Sequence, residues 1–569
     1  MSTNRTRDRS SSGRFCDGRV IVAVVISLGT FNHASLAANV IKARSISVAD
    51  VDSAIASASD GDTVVLPTGT ASWTSTVVLT KGITIEGAGN DKTVILDDIP
   101  VATEPRQRTA DGSQGKPSGP MHRSARPGSL PGQPGGRGNS AQSIFRIEMT
   151  PHQSFRLTGI TFRPGSVVRE RGGGQVPHSI VTQGTCSSFR IDHCHFDQLY
   201  RSSIHINGWM YGVIDHCVFD SRARGSASIL VQHTNWGGKT FGDGSWTEPP
   251  YFGSEKFVFI EDNIFNNLGS KQTNGSIDCS AGGRYVCRYN TFNNCLALSH
   301  GTESSGRLRS SRAVEIYNNT FHFTFPASAG QFRGGTAVIH DNTYTGVPIS
   351  RGITLQVFRE FYPFHVFGGA NGTNPWDVND SHGLYASGKH TGENASKTLV
   401  VANAGWKTNQ WVGYSLTNTT QTLRNGEHYS SFITSNTNDT ITYKLDDSIG
   451  PRSQGTFMSF NTGDGYEIHK VSIALDQPGR GKGDLISGNP PGPVGWPHQA
   501  LEPVYSWNNK MGDSEVNISG GLVPTLQESR DYYNNTPMPG YKPYAYPHPL
   551  VSGETSHNRK ARSSASAEP

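Results

Sequence analysis

The sequence predicts an all-β chain that coils and stacks on copies of itself. Gly 65 is well above average usage in 569 residues, and Ser, Thr and Asn are abundant, which suits a turn-rich chain. No long stretch carries the 3.6-residue apolar period of a helix, whereas short alternating runs are common. The stretch "RIDHCHFDQLYRSSIHINGWMYGVIDHCVF" (190–219) also repeats itself. Ile191-Asp192-His193-Cys194 returns as Ile214-Asp215-His216-Cys217, and each copy is followed by Phe196 or Phe219.

Taken in order, residues 1–38 read as a secretory signal. Arg5, Arg7, Arg9, Arg14 and Arg19 precede the apolar run Val20 to Leu28, and small residues follow up to Ala37 and Ala38, where cleavage is expected. The run falls short of the ~20 apolar residues of a membrane span, so the mature protein is expected to be extracellular or periplasmic without a stable anchor. In residues 39–100, "ISVADVDSAIASASDGDTVVLP" predicts a short capping helix, a strand and the first coils. Residues 101–140 are Pro/Gly/Ser-rich and basic, with almost no apolar side chains, and are expected to stay disordered.

Residues 141–350 hold the repeat. Phe162, Phe196, Phe219, Phe265, Phe292, Phe321 and Tyr344 mark its register, with gaps of 34, 23, 46, 27, 29 and 23 residues. Five residues before each mark sits Leu157, Ile191, Ile214, Ile260, Cys287, Ile316 or Ile339. Stacked coils place equivalent residues ~4.8 Å apart, so these positions form continuous inner columns. Asn263, Asn290, Asn319 and Asn342 form a third column, two residues before the marks. There Asn suits a left-handed turn, and its amide can bond to the next copy. A second strand recurs as "SIVTQ", "SIHIN", "SILVQ" and "SIDCS". Aligning Ile180, Ile204, Ile229 and Ile277 turns Val181, His205, Leu230 and Asp278 outward.

Residues 351–485 lose this register and read as an inserted antiparallel β module. Residues 486–551 resume the coil with "EPVYSWNNKM" and lay "PGYKPYAYPHPL" back on it, and 552–569 form a loose tail. The six cysteines beyond the signal, Cys186 to Cys295, are read mainly as small core residues, with disulfide pairing left open. The net charge of +4 permits an acidic partner without arguing for one, and nothing points to nucleic acid or to more than a monomer.

The inner stacks, the Asn column and the rung length over 155–345 resemble the right-handed parallel β-helix of the pectate-lyase-like superfamily. That resemblance implies the fold, not one activity, because the superfold hosts lyases, hydrolases and structural proteins. "QFRGG" ahead of "VIHDNTY" is similar to the substrate-binding arginine segment of pectate lyases, which implies that role for Arg333. The arginine that would act as base in that family falls near Ser328, and Ser179 and His205 occupy its carboxylate positions. The chain therefore departs from the ordinary calcium-dependent pattern.

Two faces offer chemistry. On the "IDHC" strand, Asp192, Asp215 and Glu261 align outward, either as calcium ligands or as an ion-pair ladder ended by Arg288; the ladder is the expectation. No cofactor is demanded, and Ca²⁺ is the one a carboxylate column would suit. The second strand, bordered by long insertions, is the expected cleft. It offers His205, His233 and Asp278 as catalytic groups, and Arg307, Arg309, Arg333, Asn207 and Gln232 as substrate-binding groups. Trp209, Trp236 and Trp246 lie near the same loops as sugar-stacking candidates, whereas His300 is expected to face the core. β-Elimination from a uronic acid glycan needs a charge partner for the carboxylate, a base and a proton donor, which arginines and histidines supply. The leading expectation is a polysaccharide lyase acting on an acidic glycan. A non-catalytic glycan-binding or cell-surface protein is the alternative, and a glycoside hydrolase stands third, since Asp278 is the sole carboxylate on that face.

Overall fold

The computed structural model describes residues 38–100, 143–167, 178–199, 202–222, 227–269, 273–301, 309–356, 384–412, 414–422, 428–443, 445, 458–469, 476–483, 499–519, 526 and 528–552. The residues read above as a signal up to residue 37, as a loop at 101–140 and as a tail at 553–569 lie outside them. The chain is a right-handed parallel β-helix carrying an antiparallel β module.

Each coil contributes a strand to each of three parallel sheets. The first sheet contains Trp209–Asp215, Val258–Glu261, Arg284–Arg288, Ala313–Tyr317 and Thr336–His340. The second holds the aromatic marks, with Phe196 beside Phe219, Phe219 beside Phe265, and so on to Tyr344. The third pairs Ile180 with Ile204, Ile204 with Ile229, and Ile229 with Ile277. All three inner columns are buried in one continuous core. From Phe162 to Tyr344 the rings stack with centroids 4.7–5.1 Å apart, the spacing of neighbouring strands. The N-terminal end is capped by the helix Val48–Ser57, whose buried face is Val51, Ala54 and Ile55 and whose first turn is capped by Ser47. The six cysteines are free and buried, as small apolar residues would be.

The Asn column is a continuous amide ladder. Asn263, Asn290 and Asn319 each donate Nδ2 to the Oδ1 of the next Asn at 3.0–3.1 Å, and Asn342 donates to Asn509 at 2.8 Å. Its turn geometry corrects one expectation. The left-handed residues are those just before the ladder: His193, His216, Asp262, Tyr289, Asn318, Asp341 and Asn508, with φ between 50° and 57°. The Asn side chains point inward instead, where each amide satisfies carbonyls that would otherwise be buried without donors; Asn290, for example, also serves Ile260 and Arg288.

Pairing in the third sheet continues through Arg351–Leu355 beside Ser328–Phe332. The antiparallel sheet then occupies Leu384–His469, around its own core of Leu399, Trp411, Leu416, Ile433, Phe460 and Ile468. The coil resumes where Ile339 pairs with Ser506. The C-terminal segment lies against the first sheet: Arg288 donates to the carbonyls of Tyr544 and Ala545 at 2.7 Å, and Tyr541 donates to Glu315 at 2.5 Å. Among the described residues no helix is long and apolar enough to cross a membrane.

Candidate active site

The outward positions of the third sheet form two columns. Pairing places His205 beside Leu230 and Leu230 beside Asp278; in the second column Asn207 lies beside Gln232 and Gln232 beside Ser280. The second column runs on: the His300 N–H donates to the Cys279 carbonyl at 2.8 Å and the Arg333 N–H to the Ser299 carbonyl at 3.1 Å. These bonds extend the ladder by one residue, so His300 lies beside Ser280 and Arg333 beside His300.

Asp278, His300 and Arg333 meet there. The His300 Nδ1 lies 2.5 Å from Asp278 Oδ2, and Arg333 Nη2 lies 2.8 Å from His300 Nε2 and 3.0 Å from Nδ1. The Cys279 N–H holds the other Asp278 oxygen at 2.8 Å. Side-chain exposure is 14% for Asp278 and 28% for His300, so the cluster is sheltered but open to a ligand. Its backbone is tied from behind. Ser311 donates its N–H to the His300 carbonyl at 3.0 Å and its hydroxyl to the Gly334 carbonyl at 2.9 Å. The arrangement is that of a base with an orienting group: a carboxylate fixes one imidazole nitrogen, and the other faces a guanidinium able to pair with an anion.

The placement of His300 corrects the expectation that it faces the core. The strands pair Asn274 with Cys295 and Gly275 with Leu296, then slip to pair Ile277 with Ala297. Counted without that bulge, His300 aligns with buried Cys279. The extra residue, Ser276, moves it beside Ser280 and so to the outer face. No local sequence signal marks the bulge.

Other expected residues fall in different places. His205 is half-buried two strands from Asp278, with Leu230 between them; its Nε2 lies 2.9 Å from Gln232 Oε1, its ring packs 4.7 Å from that of His178, and loss of water pushes its pKa down to about 4. Asn207 accepts from Thr234 at 2.7 Å. His233 is not a groove residue: it is fully buried against Trp236, its Nε2 lies 3.0 Å from the Met210 carbonyl oxygen, and burial pushes its pKa down to about 3. Arg309 is not a ligand-binding cation either. It is buried, bonds Asp476 at 2.7 and 2.8 Å and Asp243 at 3.1 Å, and lies over the Trp246 ring. Trp236 and Trp246 are buried, which removes them as sugar platforms, while Trp209 is half-buried against Trp236. Arg307 lies outside the described residues.

The "IDHC" face is an ion-pair ladder. Asp192 accepts from Arg156 at 2.8 and 2.6 Å, Asp215 from Arg190 at 2.9 and 2.7 Å, and Glu261 from Arg288 at 2.7 Å. Burial works to raise the Asp192 pKa, but hydrogen bonds from Arg156 and His193 outweigh it and hold the group below its ordinary value. Burial pushes Glu261 up despite Arg288. Donor atoms of Asp192, His193 and Asp215 lie within 4.8 Å of one another. The carboxylates there are already engaged by guanidinium groups, so this column does not fit a calcium ion, which wants several oxygens to itself.

No family model matches the sequence, and no curated protein matches it. Solved structures do match. An alginate lyase from Paenibacillus sp. str. FPU-7 is 12% identical with a TM-score of 0.29, over 55% of this chain and 97% of that one. The Geobacillus virus E2 protein ORF18 is 13% identical with a TM-score of 0.30, over 71% of this chain and 76% of that one. A PL6 family alginate lyase is 13% identical with a TM-score of 0.23, over 56% of this chain and 47% of that one. At such identities the likeness concerns the fold alone.

Proposed function

We propose that this protein cleaves a uronate-containing glycan by β-elimination at Asp278, His300 and Arg333. The observation that carries this reading is the joined cluster itself: an imidazole held between a carboxylate at 2.5 Å and a guanidinium at 2.8 Å on the outer face of a rigid sheet. In the free protein Arg333 covers His300 Nε2. A sugar carboxylate is a stronger partner for the guanidinium, so a bound uronate draws Arg333 to itself and uncovers Nε2. The pairing also neutralises the carboxylate, which eases loss of the neighbouring C5 proton. Nε2 takes that proton while Asp278 stabilises the imidazolium through Nδ1–H. The C5–H electron pair becomes the C4–C5 double bond, the C4–O bond breaks, and the imidazolium returns its proton to the departing oxygen. Export through the N-terminal segment would bring the protein to such polymers.

The test is to incubate the protein with pectate, alginate and glycosaminoglycans and follow the ultraviolet absorbance of unsaturated uronates. A rise that disappears in His300→Ala is the expected result. New reducing ends without absorbance would mark a hydrolase, and retention on a glycan column with neither would mark a binding protein; either outcome overturns the proposal.

A further inference from the structure

We propose that Ser280 is a fixed hydrogen-bond donor to the bound glycan, with Gln232 and His205 as the residues that set its direction. The inference rests on the lyase reading and adds a specificity residue that the elimination steps do not require. Three side chains form a directed chain along the groove face. His205 Nε2 lies 2.9 Å from Gln232 Oε1, and Gln232 Nε2 donates to Ser280 Oγ at 2.8 Å. Ser280 is next to His300 on the outward column, about one strand spacing, ~4.8 Å, from the atoms assigned to the reaction.

Hydrogen-bond polarity then decides what Ser280 can do. A glutamine amide presents an acceptor at one end and donors at the other, so fixing one end fixes the other. The amide oxygen faces His205 Nε2, which must therefore carry the ring proton. Burial favours the neutral imidazole, leaving the ring one N–H, and the contact with Gln232 places it on Nε2. The amide nitrogen in turn occupies a lone pair of Ser280 Oγ. The serine hydroxyl is thereby an acceptor toward Gln232, and its own proton is left to donate elsewhere. It stands on the outward column, beside the place where the glycan lies against Arg333. A hydroxyl donor at that point matches an acceptor oxygen of the sugar next to the cleaved bond, a ring, glycosidic or hydroxyl oxygen.

The reverse polarity is the competing arrangement. With the amide turned over, Ser280 would donate to Gln232 Oε1 and have nothing to offer a ligand. Gln232→Glu distinguishes the two, because a carboxylate accepts at both ends and draws the Ser280 proton toward itself.

The experiment measures kcat/KM for each variant on the polymer that gives the ultraviolet signal. Ser280→Ala should lower kcat/KM about tenfold, chiefly through KM, and Ser280→Thr should restore most of it. Gln232→Glu should reproduce the Ser280→Ala loss. Wild-type kcat/KM in Ser280→Ala, or in Gln232→Glu, overturns the donor assignment and leaves the lyase reading standing. Failure of Ser280→Thr to restore what Ser280→Ala loses also overturns it, since a purely structural role would be indifferent to the hydroxyl. Absence of any ultraviolet signal from the wild-type protein removes the lyase reading itself, and the donor assignment with it.

Discussion

Two faces of the same coil use the same residue types to opposite ends. On the first sheet Asp192 and Asp215 each accept a two-pronged bond from an arginine, and the C-terminal segment closes over Glu261 and Arg288. On the third sheet Asp278 has a histidine as its side-chain partner, and that histidine meets an arginine that is itself only half-buried. In the first case each charge is matched by a fixed, planar partner, so the ladder is inert structure. In the second the arginine lies 2.8 Å from an imidazole nitrogen, and an incoming carboxylate offers the guanidinium a two-pronged pairing that a ring nitrogen does not. Reactive potential here follows from how each group is satisfied, not from which residues are present.

The largest expected effect separates the two faces by activity. His300→Ala or Arg333→Ala should reduce elimination by about 10²–10⁴-fold with little change in melting, as expected for loss of a proton-transfer partner. Asp215→Asn should leave the specific activity of folded protein close to wild type. Should Asp215→Asn abolish it while His300→Ala does not, the comparison has been drawn the wrong way round.

Next comes stability on the ladder face. Arg288→Met leaves Glu261 buried without its cation, a change that typically costs about 3–5 kcal/mol. Urea unfolding should show this loss, whereas the same truncation at Arg333 should cost much less. Equal losses at the two sites would mean that Arg333 is as structural as Arg288.

The Asn ladder gives a smaller effect. Asn290→Ala removes the amide that serves Ile260, Arg288 and Asn319 and leaves the Asn263 N–H without its Oδ1 acceptor. A loss of about 1–3 kcal/mol is expected from such unsatisfied groups, with activity retained in the folded fraction. An unchanged melting temperature would contradict the ladder's structural role.

The smallest effects are in pH dependence, and they differ in sign between two histidines and a buried glutamate. His205 and His233 have folded pKa values pushed down from 6.5 to about 4 and about 3, so the unfolded chain binds protons first. Their contribution is present above pH 6.5 and is lost as pH falls toward those values. Glu315, under the C-terminal segment, is pushed up from 4.5 to about 7 by burial. Its contribution is present below pH 4.5 and is lost as pH rises through 7. Melting scans should therefore show His233→Gln flattening the acid limb and Glu315→Gln the alkaline limb, each by a few degrees. Both substitutions altering the same limb would refute the assignment.

Most of the fold was legible because a coil writes its register into the chain. Phe196, Phe219 and Phe265 repeat at positions that stack, and Ile204 and Ile229 do so on another face. The site was legible only in part. Asp278 and Arg333 were found from alternation and from a motif, but His300 was hidden by a single extra residue that reverses inside and outside. His233 follows outward Gln232, so strict alternation points it inward, where it is buried. Arg309 could not be read locally at all, since its partner Asp476 arrives from 167 residues away.

The bond between Asn342 and Asn509 joins residues that are 167 apart in sequence and adjacent in space. The coil thus leaves its own lattice after Arg351–Leu355 and rejoins it at Val504–Trp507, and the antiparallel sheet between those strands is a detour. Lengthening such a detour is thermodynamically cheap, about 0.6 kcal/mol for each doubling of its length. The seam therefore acts as a docking port in the chain, where an independently cored cassette can be acquired, exchanged or lost while the rungs on either side keep their register. The antiparallel sheet Leu384–His469, with its own core, fits that description.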